Sequence, residues 1–311
     1  MLMNIKSLFI LKKILSFNEE IKNLKIIKYN KELQKKLGIT IEKYKNSGKI
    51  EIVIIPNKEE IKYLKIFEKY KDARIKFINY NIKDEPYFHI YFDYNAKEEK
   101  RNYINKDDNI SKIKIIIDHH VKSIMELFFE TSYMKEIKFI KFNRNDFRRF
   151  TYMFNLSSDL VDLDISKLIT ENATNMNGMF RDCTSLIRLD LSNIKTCKVK
   201  DMSNLFKGCK RLTYLDLSSF DTSNVKHMTG MFHGCYNLNI IILNNFDTSN
   251  VIDMQDMFYS CKSLDDIDIS HFNLENVKSM RGMFSYINDN LRFKVKQQNS
   301  GLKEEAFINI K

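Results

Sequence analysis

The 311-residue sequence is characterised first by what it lacks. It contains no tryptophan, only two prolines and eight glycines. No stretch of about 20 apolar residues predicts a membrane-spanning helix. The glycines form no phosphate-binding loop, and no Ser–His–Asp set, Cys–His set or pair of pocket carboxylates can be proposed. We therefore predict a protein that is not an enzyme and that uses no cofactor.

The N-terminus lacks the apolar core of a signal peptide. Only four consecutive apolar residues, Leu8–Leu11, precede Lys12 and Lys13. A signal peptide needs about 7–15 apolar residues followed by small ones. The sequence thus predicts a cytoplasmic protein, with a cell-surface location as the alternative.

The five cysteines do not have the pattern of a disulfide framework. Four of them recur at equal steps of 26 residues: Cys183, Cys209, Cys235 and Cys261. Equal steps of this length are not the spacing of zinc ligands, so no metal site is predicted although His233 neighbours Cys235. An odd number of cysteines, with four expected in one buried column, favours a reducing compartment.

The sequence also lacks a run of lysine and arginine with interleaved aromatic residues, so no nucleic-acid partner is expected. The net charge of +11 is unevenly distributed. Residues 1–150 hold 33 Lys and Arg against 21 Asp and Glu (+12), residues 151–290 hold 13 against 17 (−4), and residues 291–311 hold 5 against 2 (+3). The basic first half is compatible with an anionic partner or with ordinary solvated lysines.

What the sequence does contain is a 26-residue repeat. Its most regular marker is a phenylalanine: Phe154, Phe180, Phe206, Phe232, Phe258 and Phe284. Leucine, valine and methionine recur at fixed distances from this phenylalanine. A fixed period of about 20–50 residues indicates stacked units that bury their apolar side chains against one another.

Two hydrophobic periodicities alternate within each unit. The segment Leu215–Leu217 alternates apolar and polar residues, which predicts a short half-buried strand. The segment Val225–Phe232 has apolar residues at i, i+3, i+6 and i+7, which predicts a short helix. Asn224 and Gly234 stand where helix caps are expected. Each unit is therefore predicted to be strand, turn and short helix.

The pattern Met202–Val225, repeated through Val251, resembles the BspA-type leucine-rich repeat of bacterial surface proteins and protists. The resemblance covers residues 150–295 and rests on about ten positions that recur in register. It implies a curved α/β solenoid, leucine-rich-repeat-like, with a role in binding and without enzyme activity.

Residues 1–49 are predicted to be a helical N-terminal region. The layouts of Ile10–Phe17 and Leu24–Leu33 loosely resemble an F-box, a family that docks on a ubiquitin-ligase adaptor, although the usual proline and one aromatic residue are missing. An ordinary helical cap is the other interpretation, and the sequence does not decide between them.

The remaining segments complete the predicted domain organisation. Residues 50–110 are an irregular α/β segment, and the 23-residue step from Ile52 to Ile75 raises the hypothesis of divergent repeats from residue 50. Phe128 precedes Phe154 by one period, so residues 111–295 are assigned to the solenoid. A last capping strand is predicted at Phe293 and Val295, and residues 296–311 are predicted to be a polar tail.

The outward positions of the predicted strands are the candidate binding site. They are Asp164, Arg188, Asp190, Tyr214, Asp216, Ile240, Ile242, Asp266 and Asp268. The row of carboxylates is either a site for a basic partner or a cation, or a structural element that bonds to nearby backbone and serines. The apolar side chains among these residues, Tyr214, Ile240 and Ile242, form either a contact hot spot or a surface covered by a chain end.

These observations predict a non-enzymatic protein-interaction module that binds its partner on the concave strand face. Two alternatives stay open. The first is an F-box-like substrate receptor of a ubiquitin ligase, and the second is a cell-surface adhesin or antigen of the BspA-like type. The identity of the partner and the oligomeric state are not encoded in any motif of the sequence.

Overall fold

The computed structural model describes residues 48–66, 74–93, 95–105 and 107–308. The predictions made for residues 1–47, including the F-box-like layout, lie outside the described residues.

The N-terminal part of the described chain consists mainly of strands. Its elements are β1 (Ile50–Pro56), α1 (Lys58–Ile66), β2 (Arg74–Lys76), a 3-10 helix (Ile82–Tyr87), β3 (Phe88–Phe92), β4 (Glu98–Glu99), β5 (Tyr103–Asn105), β6 (Ile113–Ile117) and β7 (Met134–Phe142). A sheet with the order β4-β3-β6-β1-β7-β8, where β8 is Asp162–Asp164, forms the N-terminal part of one continuous hydrophobic core. In β1 and β6 alternate isoleucines are buried, as the period of two requires.

The hypothesis of divergent repeats in residues 50–110 is wrong. Stacked repeats would place successive strands parallel, whereas β1 lies antiparallel between β6 and β7. Ile75 lies on β2, which pairs antiparallel with β5 in a separate sheet. The spacing of two strands along a sequence does not specify their direction. The strand β6, which lies within the range 111–295 assigned to the solenoid, also belongs to this antiparallel sheet and not to the repeat.

The 26-residue units begin at β7 and the segment before it. β7 pairs in parallel with β8, with Glu136 opposite Asp162, and thereby joins the antiparallel sheet to the repeats. Phe128 stacks on Phe154 with 5.4 Å between ring centroids. The phenylalanine column therefore includes Phe128, one period before Phe154.

The later units stack in register. Strands β9 (Tyr214–Asp216) and β10 (Ile240–Ile242) pair in parallel, residue opposite residue. Single parallel bridges link the same position of successive units from Arg149 to Ser279. The ring centroids of successive phenylalanines from Phe154 to Phe284 lie 5.2–5.8 Å apart. The predicted phenylalanine, methionine and cysteine columns are buried.

The short helix predicted in each unit is absent from the described repeats, where the segment Val225–Phe232 holds an isolated bridge at His227 followed by a turn from Thr229. Alternate backbone N–H groups donate to the next unit: Met228 to the Asp253 carbonyl (2.9 Å) and Phe232 to the Met257 carbonyl (2.8 Å). A helix would use those N–H groups within the segment. The apolar side chains keep their predicted inward direction, but neighbouring units supply the hydrogen-bond partners.

Two glycines of these turns allow a stability test. Gly178 (φ +59°) and Gly234 (φ +72°) both have left-handed backbones, which cost an alanine about 1–2 kcal/mol. A Cβ at Gly178 would also overlap the ring of Tyr152, whereas the nearest atoms at Gly234 are 3.9 Å away. We expect Gly178→Ala to destabilise the protein by about 1 kcal/mol more than Gly234→Ala, measured by urea unfolding. Equal losses would show that the Tyr152 ring moves aside freely.

The C-terminal segment covers the last unit. Where a capping strand was predicted, the helix α2 (Asp289–Gln298) forms, because the Asn288 side chain accepts the Leu291 N–H and because Leu291 and Val295 are buried on one helix face. The polar-tail prediction is also wrong. A 3-10 helix (Glu304–Phe307) follows, and the Phe307 ring stacks on Phe284 at 5.9 Å.

Helices are few in the described chain. None of those seen there has the length and apolar content needed to span a bilayer.

Candidate functional site

The candidate site lies on the outward face of the strands. In β8 the side chain of Leu163 is buried, while those of Asp162 and Asp164 point outward. The same alternation in β9 buries Leu215 and exposes Tyr214 and Asp216. The predicted assignment of inward and outward positions is therefore confirmed for these strands.

A groove of about 770 Å³ runs along this face from β7 to β9. Five of the nine predicted site residues line it: Asp164, Arg188, Asp190, Tyr214 and Asp216. The other four lie beyond its lining: Ile240 and Ile242 on β10, and Asp266 and Asp268 in the equivalent segment of the next unit. The structure thus brings the first part of the predicted site together in a concave surface.

Four aspartates at the equivalent position of their units each fix the turn that follows: Asp164, Asp190, Asp216 and Asp268. The Ser192 N–H donates to Asp190 Oδ1 (2.9 Å), and the Ser218 N–H donates to Asp216 Oδ1 (2.9 Å). Asp164 and Asp268 make the same bond to Ser166 and Ser270: 3.0 and 2.9 Å. The interpretation of the carboxylate row as a structural element is therefore correct, since one oxygen of each of these aspartates bonds to the backbone of its own turn. It also means that the carboxylates are held in place before any partner arrives.

These bonds favour the ionised carboxylates. The Ser192 backbone N–H is the main cause of the lowered pKa of Asp190, and the neighbouring charge of Asp164 opposes it. The Ser218 hydroxyl and N–H lower the pKa of Asp216. The row is consequently a fixed line of negative charge at neutral pH, and part of it is mutually repulsive.

Tyr214 and Ile240 form the apolar centre of the face. They are 44% and 55% exposed and lie opposite each other in the register of β9 and β10. No described chain end covers them. The C-terminal helix approaches only the last unit, where Lys294 Nζ lies 3.3 Å from Asp266. The covered-surface interpretation is therefore wrong for this pair within the described chain.

Two charged residues of β7 belong to the groove and were not predicted. Glu136 and Lys138 pair in register with Asp162 and Asp164, and Lys138 Nζ lies 3.1 Å from Asp164 Oδ2. The signal was present, since each residue precedes its partner by one 26-residue period. The outward positions are hard to assign from the sequence there, because the β7 unit lacks most of the residues that recur in the later units.

The cysteine column is buried and chemically inert. Each thiol donates to the carbonyl of the phenylalanine 29 residues earlier, for example Cys183 Sγ to the Phe154 oxygen (3.1 Å). Burial raises the pKa of Cys261 to about 12 and that of Cys183 well above its usual value. All five cysteines are free, and only Cys197 is exposed.

Alkylation of the native protein should therefore modify a single cysteine. At pH 7.5 iodoacetamide is expected to label Cys197 quickly and the four buried thiols only after unfolding. Mass spectrometry of intact and urea-treated protein measures the number of adducts. Rapid addition of even one group to the folded Cys197→Ser variant would show that the column opens under native conditions.

The described residues offer little for metal chemistry. No group of three His, Cys, Asp or Glu among them has an arrangement that could hold an ion.

The amino-acid sequence matches the family described as "Mycoplasma protein of unknown function, DUF285" over residues 100–214 and 201–300. The chain belongs to the DUF285 family. The match supports the resemblance at the coarse level of a leucine-rich-repeat-like family, and the family description assigns no activity.

Other comparisons add little to the DUF285 assignment. No curated protein matches the chain. Among solved structures, the chain shows a likeness to "Crystal structure of T. pallidum Leucine Rich Repeat protein (TpLRR)". The identity is 16%, the alignment covers 60% of this chain and 78% of that chain, and the TM-score is 0.35. A likeness at this level carries no argument about the site.

Proposed function

We propose that this DUF285 member is a non-enzymatic protein-interaction module, a BspA-type leucine-rich-repeat solenoid whose strand face binds a protein partner. The observation that carries the proposal is the exposed pair Tyr214 and Ile240, adjacent in register and bordered by fixed carboxylates. An apolar and aromatic centre with a charged rim is the usual composition of a protein-binding hot spot.

The groove supports the proposal by its shape and by its rigidity. It extends over four successive units and presents outward side chains from β7, β8, the 188–192 segment and β9, so a partner contacts a surface that is formed before binding. Because Asp190 and Asp216 are held by their turns, little side-chain entropy is lost when a partner docks.

We place the protein in the cytoplasm because its five cysteines are all free, as in reducing compartments. The adhesin alternative requires export, and detection of the intact chain outside the cell would favour it.

Site-specific photocrosslinking tests the proposed face. A benzoylphenylalanine at position 214 should link a specific protein in native lysate, and the same group at position 236 should not. Tyr236 is a matched control because it is also an exposed tyrosine, 40% exposed, but lies outside the groove. Equal labelling from both positions, or labelling from position 236 alone, would exclude the strand face.

Once the partner is purified, the contribution of Tyr214 and Ile240 to its binding can be measured. The double substitution Tyr214→Ala and Ile240→Ser should weaken binding by about 30-fold, as expected when a hot spot is truncated. Isothermal titration calorimetry gives the Kd, and circular dichroism verifies that the variant is folded. A Kd within twofold of that of the unmodified protein would contradict the assigned centre.

A further inference from the structure

We infer that the strand-face groove receives an extended peptide segment that carries lysine or arginine side chains beside an apolar anchor. The inference rests on the proposed function and specifies the chemistry of the partner. It combines three features of the groove, namely its charge, the rigidity of its carboxylates and the position of its apolar centre.

The groove is acidic although the whole chain is basic. Its lining holds five carboxylates, from Glu136 to Asp216, against two cations, Lys138 and Arg188, which gives a local charge of −3. Lys138 is already paired with Asp164. Charges beyond about 8 Å are screened at physiological ionic strength, so the net +11 of the chain has little influence inside the groove.

The free carboxylates are preorganised for cations. Among the described residues Asp190 and Asp216 form no ion pair, and each uses one oxygen to accept a serine N–H. A lysine or arginine of a partner therefore meets a charge whose position is already fixed. An acidic partner would meet the same two charges and only Arg188 as an unpaired cation in the groove lining.

The apolar centre defines where the anchor lies. Tyr214 belongs to the groove lining, and Ile240 follows on the next strand. Paired strands lie about 4.8 Å apart, and successive units stack at a similar spacing, so the three unit-to-unit steps from Asp164 to Ile240 span roughly 14 Å. An extended chain covers this distance with about four residues, which places basic residues over the carboxylates and an apolar residue over Tyr214.

Three synthetic peptides test the charge requirement. They are about 12 residues long, share a central leucine and differ only in that the charged positions carry lysine, glutamate or glutamine. Fluorescence anisotropy with the full chain should show binding of the lysine peptide, weakening as salt is raised. We expect the glutamate and glutamine peptides to bind at least tenfold more weakly.

Two matched variants locate the peptide. The double variant Asp190→Asn, Asp216→Asn keeps the Oδ1 acceptor for each turn and removes both charges, so it should fold normally and bind the lysine peptide about fivefold more weakly. Asp247→Asn is the control, because Asp247 accepts the Ser249 N–H in the same way (2.9 Å) but lies outside the groove. It should bind like the unmodified chain.

The outcomes separate this inference from the proposed function. Equal binding of the glutamine and lysine peptides, no binding of the lysine peptide, or an unchanged Kd in the Asp190→Asn, Asp216→Asn variant would overturn the basic-segment assignment. In each of these cases crosslinking from position 214 could still identify a partner, and the proposed function would stand. Absence of a position-214 crosslink overturns the proposed function itself.

Discussion

Phe206→Ala should reduce the free energy of unfolding by about 4 kcal/mol, the largest stability loss that we expect from one substitution. Phe206 is fully buried, and its ring centroid lies 5.6 Å from that of Phe180 and 5.8 Å from that of Phe232. Truncation removes two stacked aromatic contacts and leaves a cavity between units, which in-register backbone bonds prevent from collapsing. Guanidinium-induced unfolding followed by circular dichroism measures the effect.

Phe293→Ala is the matched control for this prediction. Phe293 lies on α2 and is 63% exposed, so its truncation should change stability by less than about 0.5 kcal/mol. If the two variants lost similar stability, the phenylalanine column would not be the main stabilising contact between units.

Asp146→Asn should destabilise the protein by about 2 kcal/mol, because it removes the charge partner of a buried arginine. Arg144 is 1% exposed and donates to both Asp146 oxygens, from Nε (3.0 Å) and Nη2 (2.9 Å). Removing one member of a fully buried pair costs about 3–5 kcal/mol, and we expect a smaller loss of about 2 kcal/mol here because the Asp146 side chain is 35% exposed. Thermal unfolding at neutral pH measures the difference.

The pH dependence of this variant gives a second readout. Burial opposes ionisation of Asp146, but the hydrogen bonds and charge of Arg144 outweigh it and lower the pKa of the carboxyl. A carboxyl group whose pKa is lower in the folded than in the unfolded state stabilises the fold at pH values above its unfolded-state pKa. This stabilisation is lost as the pH falls through the folded-state pKa. The Asp146→Asn variant should therefore lose less stability on acidification, below about pH 4, than the unmodified protein.

An exposed pair provides the comparison. Asp266 and Lys294 also form an ion pair, at 3.3 Å, but the Asp266 side chain is 74% exposed, so Asp266→Asn should cause no measurable change. Equal effects of Asp146→Asn and Asp266→Asn, or an unaltered acid profile for Asp146→Asn, would show that the Arg144 pair contributes no more than a surface pair.

Much of the candidate site could be predicted because the repeat is regular. Once the period is known, Asp164, Asp190 and Asp216 must lie in one outward column, because residues 26 positions apart occupy equivalent places in successive units. What sequence reasoning missed were Glu136 and Lys138, whose unit lacks most of the repeated residues. The groove itself depends on how β7 joins the repeats, and no local pattern encodes that junction.

The sequence by itself determined the 26-residue period, the buried phenylalanine column and the outward position of the aspartates, because side-chain burial follows directly from periodic hydrophobicity. Only the tertiary structure decided the backbone of the Val225–Phe232 segment, the antiparallel sheet before the repeats and the helix α2 after them. In each of these segments the spacing of the apolar residues is compatible with more than one backbone conformation. The choice depends on which distant carbonyl accepts each N–H group, and those partners lie on neighbouring units or strands rather than nearby in the chain.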